Sequence, residues 1–197
     1  MPKGVPTAAV YEIGVRVAVV LRTDRLLLRP FVESDLPSVH EYASDPSVVC
    51  FVEWGPNTEE ESAAFIRRAA AGAREEPCGN HELAVVLNSE HRLIGGCGLR
   101  IRSAVYGEAE VGYCLNRKYW GKGYATETAL ALLRYGFDKL KLHRIYAVCD
   151  SENRASARVL SKIGMVQEGY LHELKHIRGR WRDNLLFAVL EQHHRNR

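Results

Sequence analysis

Asn116-Arg-Lys-Tyr-Trp-Gly-Lys-Gly-Tyr-Ala-Thr-Glu127 is a basic, glycine-punctuated turn between a short apolar strand and a helix-periodic segment. Glycine lets successive backbone N–H groups converge without Cβ interference. The helix that follows adds unpaired amides and the positive end of its dipole. Arg117, Lys118 and Lys122 bring full charges, and no acid intervenes before Glu127. The segment therefore predicts a polyanionic ligand, a phosphate group above all. A nucleoside-triphosphate loop, G-x-x-x-x-G-K-S/T, is a poor match because Gly123 follows Lys122 and no hydroxyl is placed to hold magnesium. A dinucleotide fingerprint fails at its third glycine, where Thr126 stands. What remains is a tight loop against a helix N-terminus, suited to a pyrophosphate, with Tyr119, Trp120 and Tyr124 interleaved.

Ala109-Glu-Val-Gly-Tyr-Cys-Leu115 lies upstream of this loop, and Asn153-Arg-Ala-Ser156 and Gly164-Met165 lie downstream. With these neighbours the region resembles the GCN5-related N-acetyltransferases (GNAT), and within them the RimJ/RimL-type branch, from roughly Thr23 to the C-terminus. The superfamily loop pattern Q/R-x-x-G-x-G/A is matched by Trp120-Gly-Lys-Gly123-Tyr-Ala125. Only the first position departs, and tryptophan there is usual in the RimJ/RimL branch. The resemblance implies an α/β (α+β) fold: a mixed, mostly antiparallel sheet of about seven strands, flanked by four helices, with two parallel central strands that splay apart. It implies acetyl-CoA as donor, its pyrophosphate on the backbone of Trp120, Gly121, Lys122, Gly123, Tyr124, Ala125 and Thr126, and its pantetheine arm in the splay. Backbone around Tyr113, Cys114 and Leu115 would polarise the thioester carbonyl. Asn153 reads as a helix N-cap, and by resemblance its side chain also touches the pantetheine.

Acetyl transfer to an amine needs a neutral amine, a polarised carbonyl and a proton for the departing thiolate. For the base, Glu110 interrupts an apolar strand, where an acid is unusual unless paired or used, and it matches the general base of the histone-acetylating branch. Glu82, at the start of an earlier strand, is the competitor by resemblance to RimJ/RimL enzymes. For the acid, many acetyltransferases carry a tyrosine seven residues after the capping asparagine, but Leu160 stands there. The RimJ/RimL branch suggests instead the serine three residues after it, Ser156, which shares a helix face with Leu160 and Ile163. An α-amine is neutral about one time in seven at neutral pH and a lysine side chain only about once in 2,500. With no dedicated base motif in view, a protein N-terminus or a small-molecule amine is the expected acceptor. Direct attack needs no covalent intermediate, so Cys114, the thiol nearest the expected site, reads as core. The rival expectation is a non-catalytic acyl-CoA-binding or sensor protein of the same fold.

The 197 residues, 46% of them hydrophobic, suffice for one core. We expect an N-terminal extension over residues 1–21, with Val15 to Leu21 as an added edge strand, and a single catalytic domain over 22–197, as monomer or homodimer. Twenty-seven basic against 24 acidic residues leave only +3, too little to argue for nucleic acid. The basic run Lys175 to Arg182 reads as a solvated hairpin face. Five cysteines without a C-x-x-C pair argue against disulfides or structural zinc, and the eight histidines show no metal-ligand spacing. Among the histidines only His81 falls near the expected site. No run reaches the roughly 18 apolar residues of a membrane span, and no secretory signal opens the chain, so a cytoplasmic protein is expected. Trp54-Gly-Pro56 reads equally as pocket border or core plug.

Overall fold

The computed structural model describes residues 10–13, 16–73 and 79–195. Cys78 lies outside them. The chain begins with β1 (Val10–Ile13) and β2 (Arg16–Val19), which pair antiparallel as a separate two-stranded sheet. The edge strand expected over Val15 to Leu21 is therefore divided. β2 belongs to that hairpin, and only β3 (Leu21–Arg22) joins the main sheet, beside β4 (Leu26–Arg29).

Between β4 and the next strand lie α1 (Leu36–Ala43), the one-turn α2 (Pro46–Val49) and α3 (Glu59–Gly72). Thr58 and Glu61 form a capping box that fixes the start of α3, with three acids complementing its dipole. The long strands follow: β5 (Asn80–Leu87), β6 (Arg92–Ser103) and β7 (Glu108–Leu115). Then come α4 (Tyr124–Arg134), drawn out by a π-type turn over Tyr135–Lys139, β8 (Arg144–Asp150) and α5 (Arg154–Lys162). Gly164, at φ +92°, reverses the chain after α5 as a left-handed C-terminal cap. The hairpin β9 (Val166–Ile177) and β10 (Arg180–Leu190) turns at Gly179, and the short α6 (Glu191–Arg195) ends the described chain.

The eight strands run in the order β3-β4-β5-β6-β7-β8-β10-β9. Every neighbouring pair is antiparallel except β7 and β8. Helices α4 and α5 bury one face, where Leu132, Leu133, Phe137 and Leu160 meet Val85, Leu99, Ile145 and Phe187. The other face is covered by α1, α2 and α3 over β4 to β6, through Val39, Tyr42, Val49 and Ile66 on Ala84, Val86 and Leu93. Covered on both sides, β5 runs apolar from Leu83 to Leu87 with no alternation. The helical cover stops short of β7 and β8, and the uncovered part of the sheet holds the cleft described next.

Candidate active site

Helix α4 starts as the sequence suggests. Gly121 and Gly123 both take left-handed backbone, at φ +73° and +82°, and Gly123 is the N-cap with no side chain capping the helix. The first bond along the helix runs from Glu127 N–H to the Gly123 carbonyl, so the amides of Tyr124, Ala125 and Thr126 have no acceptor in their own helix. The Trp120 indole N–H donates to the Leu115 carbonyl at 2.7 Å, tying the loop back to β7. These amides at the positive end of a helix fit a pyrophosphate.

The cationic surroundings differ from expectation. Lys118 Nζ and Arg92 both hold Glu41 of α1 at 2.6 Å, and Arg117 lies 3.5 Å from Asp45. These cations fasten the loop to the α1–α2 layer, and the bond from Lys118 leads the effects that keep the Glu41 carboxyl below its ordinary range. Lys122 has no carboxylate partner among the described residues and lies 5.2 Å over the Tyr119 ring. A second brace was not readable in advance. The Glu127 carboxylate accepts from Thr23 Oγ1 at 2.6 Å, Arg25 N at 3.0 Å and Arg25 Nε at 2.7 Å, while Arg25 also donates to the Lys122 carbonyl at 3.0 Å. The same guanidinium lies 4.5 Å over the Tyr124 ring.

β7 and β8 pair at only three rungs, Glu108 with Arg144, Ala109 with Ile145 and Glu110 with Tyr146. Beyond them β7 bonds only to β6, and β8 only to β10. One edge of Val111 to Leu115 thus faces a gap, with backbone groups available to a ligand. Two side chains meet across that gap. Tyr113 reaches from β7 to place its hydroxyl 3.0 Å from Ser156 Oγ on α5, and Cys149 of β8 lines the same cleft. Burial pushes the Tyr113 phenol up to about 12 and the Cys149 thiol up to about 11. Asn153 caps α5, its Oδ1 accepting from Ser156 N at 3.0 Å.

The gap opens into a cleft of about 820 Å³. Its floor is nearly bare of side chains, because Gly98 and Gly112 lie opposite each other on β6 and β7. A Cβ at Gly112 would meet nothing within 4 Å. The register puts Glu82 opposite Gly98, and Glu110 two residues before Gly112, so both glutamates share this face. Glu110 forms a direct ion pair with Arg102, whose Nε donates at 2.9 Å. Glu82 accepts from Asn80 Nδ2 at 3.0 Å, and its paired cation, Arg100, stands 3.7 Å away. His81, by contrast, faces the α4 side, edge-on to Tyr135 at 5.3 Å. Its buried Nε2 has no partner among the described residues, and burial lowers its basicity. It is not part of the cleft.

The far wall joins Phe51 to Gly55 with the β9–β10 hairpin. Arg178 donates to the carbonyls of Val52 at 3.1 Å and Trp54 at 2.9 Å, and also to Gly55; Lys175 Nζ binds Glu53 at 2.7 Å. Arg182, its side chain 11% exposed, holds the buried Asp150 at 2.7 Å and Glu152 at 2.9 Å. Of the run expected as a solvated hairpin face, His176 and Arg180 are exposed, while Lys175 and Arg178 are spent on the opposite loop. Trp54 borders the cleft, which settles its reading against a core plug.

Residues 25–166 match the family model of the acetyltransferase (GNAT) domain. The chain belongs to the GNAT family. The N-acetyltransferase YnaD of Bacillus subtilis is 37% identical over 174 residues, spanning 87% of this chain and 97% of YnaD. A GNAT-family acetyltransferase from Bacillus anthracis, also 37% identical, superposes with a TM-score of 0.79 over 88% of this chain and 99% of its own. The spermidine N(1)-acetyltransferase of Escherichia coli K12 is 27% identical over 164 residues, 83% of this chain and 85% of that enzyme. This GNAT protein is thus an N-acetyltransferase. Among the described residues no helix is long and apolar enough to cross a membrane.

Proposed function

We propose that this GNAT enzyme, of the RimJ/RimL type, transfers acetyl from acetyl-CoA to a primary amine, either a protein N-terminal α-amine or a small-molecule amine. The observation that carries this reading is the cleft at the gap between β7 and β8, lined by Glu82 and Glu110 as well as by Tyr113, Asn153 and Ser156. On one side of the sheet the uncapped amides of α4 await a pyrophosphate. On the other, the bare floor at Gly98 and Gly112 lies between two glutamates. Acetyl-CoA would lie on the backbone of Trp120 to Thr126, pass Asn153, and enter the gap beside Tyr113, Cys114 and Leu115. The fit is supported by amides that no side chain caps and by the unpaired edge of β7.

Glu82 and Glu110 are the candidate bases. Arg102 places two donors on Oε2 of Glu110, an ion pair that proton uptake would have to loosen. Glu82 has only the more distant Arg100, so the surroundings favour Glu82, acting directly or through water. The acceptor amine would rest against the aromatic wall of Phe31, Phe65 and Trp54, with the Glu53 and Glu61 carboxylates at the rim. That spermidine is the substrate named for one relative makes polyamines a first class to try. Unpaired thiols at Cys97, Cys114 and Cys149 suit a reducing, cytoplasmic setting.

The test is a thiol-release assay with acetyl-CoA against spermidine, amino acids, aminoglycosides and ribosomal-protein N-terminal peptides, with titration calorimetry of acetyl-CoA alongside. Turnover with one class identifies the acceptor. Binding of acetyl-CoA with no release of coenzyme A across the panel would overturn the enzymatic role in favour of an acyl-CoA-binding protein.

A further inference from the structure

Leu160 is 1% exposed and packs in the core beneath α5, so the helix position from which many relatives deliver a proton carries no hydroxyl here. A hydroxyl pair stands close by, assembled from two walls of the cleft. Ser156 is fixed in the first turn of α5 by its own N–H bond to the Asn153 cap. Tyr113 comes from β7 on the far side of the splay, and its hydroxyl lies 3.0 Å from Ser156 Oγ.

We propose that Tyr113 is a positioning residue for proton delivery: its phenol donates to Ser156 Oγ, turning the serine O–H toward the departing sulfur. This rests on the acetyltransferase reading above. Two arrangements of the pair are available. In one, the Tyr113 hydroxyl donates to the Ser156 carbonyl, a long contact of 3.4 Å, and the serine proton points back at the phenol. In the other, Tyr113 donates along the shorter 3.0 Å contact to Oγ, which leaves the serine proton free to point into the gap. The 3.0 Å contact serves either direction, and only the second arrangement leaves a serine proton to meet the sulfur.

The proton balance follows. The amine attacks, the C–S bond breaks, and sulfur keeps the electron pair. Ser156 gives its proton to that thiolate and takes the Tyr113 proton; the phenolate is then reprotonated from solvent, while the proton lost by the amine leaves through the base. Cys149 also lines the cleft, but a thiol is the weaker hydrogen-bond donor. Both groups remain protonated at neutral pH, since burial holds the phenol at about 12 and the thiol at about 11.

Single-turnover rates for wild type, Tyr113→Phe, Ser156→Ala and Cys149→Ala, each with acetyl-CoA and with its selenoester analogue, test this. A selenolate is a much better leaving group and departs without needing a proton. Tyr113→Phe is expected to slow acetyl-CoA turnover about tenfold or more with acetyl-CoA KM unchanged within about twofold, and to lose most of that defect with the selenoester. Ser156→Ala should behave alike, and Cys149→Ala should resemble wild type. Equal slowing by Tyr113→Phe with both donors would mean that the phenol only packs, and no slowing would mean that it does nothing; either result overturns the proposal. A wild-type protein that turns over no amine at all would instead overturn the enzymatic reading.

Discussion

The Arg25 guanidinium joins the glycine loop to the first turn of α4: Nε donates to the Glu127 carboxylate at 2.7 Å and Nη1 to the Lys122 carbonyl at 3.0 Å. The turn between β3 and β4 thus holds the glycine turn before α4 from behind. Replacing Arg25 with alanine should raise the acetyl-CoA KM severalfold, consistent with loss of about 1.5–3 kcal/mol of charged hydrogen bonding less the screening at this exposed site, with kcat changed little. Arg25→Lys should not restore affinity, because an ammonium cannot reproduce the planar fork. Initial-rate kinetics at saturating amine measure both.

Glu127 gives the same brace a pH signature. Burial opposes its charge, but the bonds from Thr23 and Arg25 outweigh that and hold the carboxyl below its ordinary 4.5. A carboxyl whose pKa falls on folding adds stability that is fully present above the unfolded value and is lost as the pH drops through the folded one. The Tm gap between wild type and Glu127→Gln should therefore be plain near neutrality and close as the pH is lowered below 4.5. A constant gap across that range would assign the loss to packing.

Gly123 sits at φ +82°, and an added Cβ would come 3.4 Å from the Arg25 guanidinium, a contact that a flexible side chain can relieve. Backbone strain then dominates, costing about 1–3 kcal/mol. Gly123→Ala should fold with a lower Tm and bind acetyl-CoA about tenfold or more weakly by calorimetry, because strain relief moves the amides off their common focus.

Gly112 predicts the reverse pattern. Its Cβ would enter open space, and a β-branched side chain suits a strand. Gly112→Val should match or exceed the wild-type Tm yet cut kcat/KM about tenfold or more, through a side chain standing on the cleft floor. Thermal melts and kinetics on one preparation separate the two effects.

Arg178 spends its guanidinium on three carbonyls of the loop Val52 to Gly55. Arg178→Ala should raise the acceptor KM while leaving the acetyl-CoA KM within about twofold, provided that loop shapes the acceptor wall and not the donor site.

The parts of the site written in short stretches of chain were legible in the sequence. The turn at Trp120 to Ala125 and the Asn153 cap follow from glycine, helix-end amides and side-chain capping, all set within a few residues. The hairpin around Lys175 to Arg182 was legible for the same reason. What escaped were pairings distant in sequence. Arg117 and Lys118 looked like ligand cations until Asp45 and Glu41 proved to occupy them. His81 and Glu82 are adjacent in sequence yet point to opposite faces, since a strand alternates and only its pairing decides which face lines a cleft. The Tyr113–Ser156 contact depends on how far β7 and α5 stand apart, which no local pattern encodes.

The three-rung seam between β7 and β8 also divides what selection can alter at low cost. The proposed donor side is built largely from main chain, the α4 amides and the β7 edge, and tolerates little beyond glycine at its turn. The proposed acceptor side is built from side chains on the Phe51 to Gly55 loop and the β9–β10 hairpin, held together by the Lys175–Glu53 ion pair and the Arg178 hydrogen bonds. Descendants of such a chain can drift toward new amines by exchanging Glu53, Trp54, Lys175 or Arg178 while the acetyl source stays fixed.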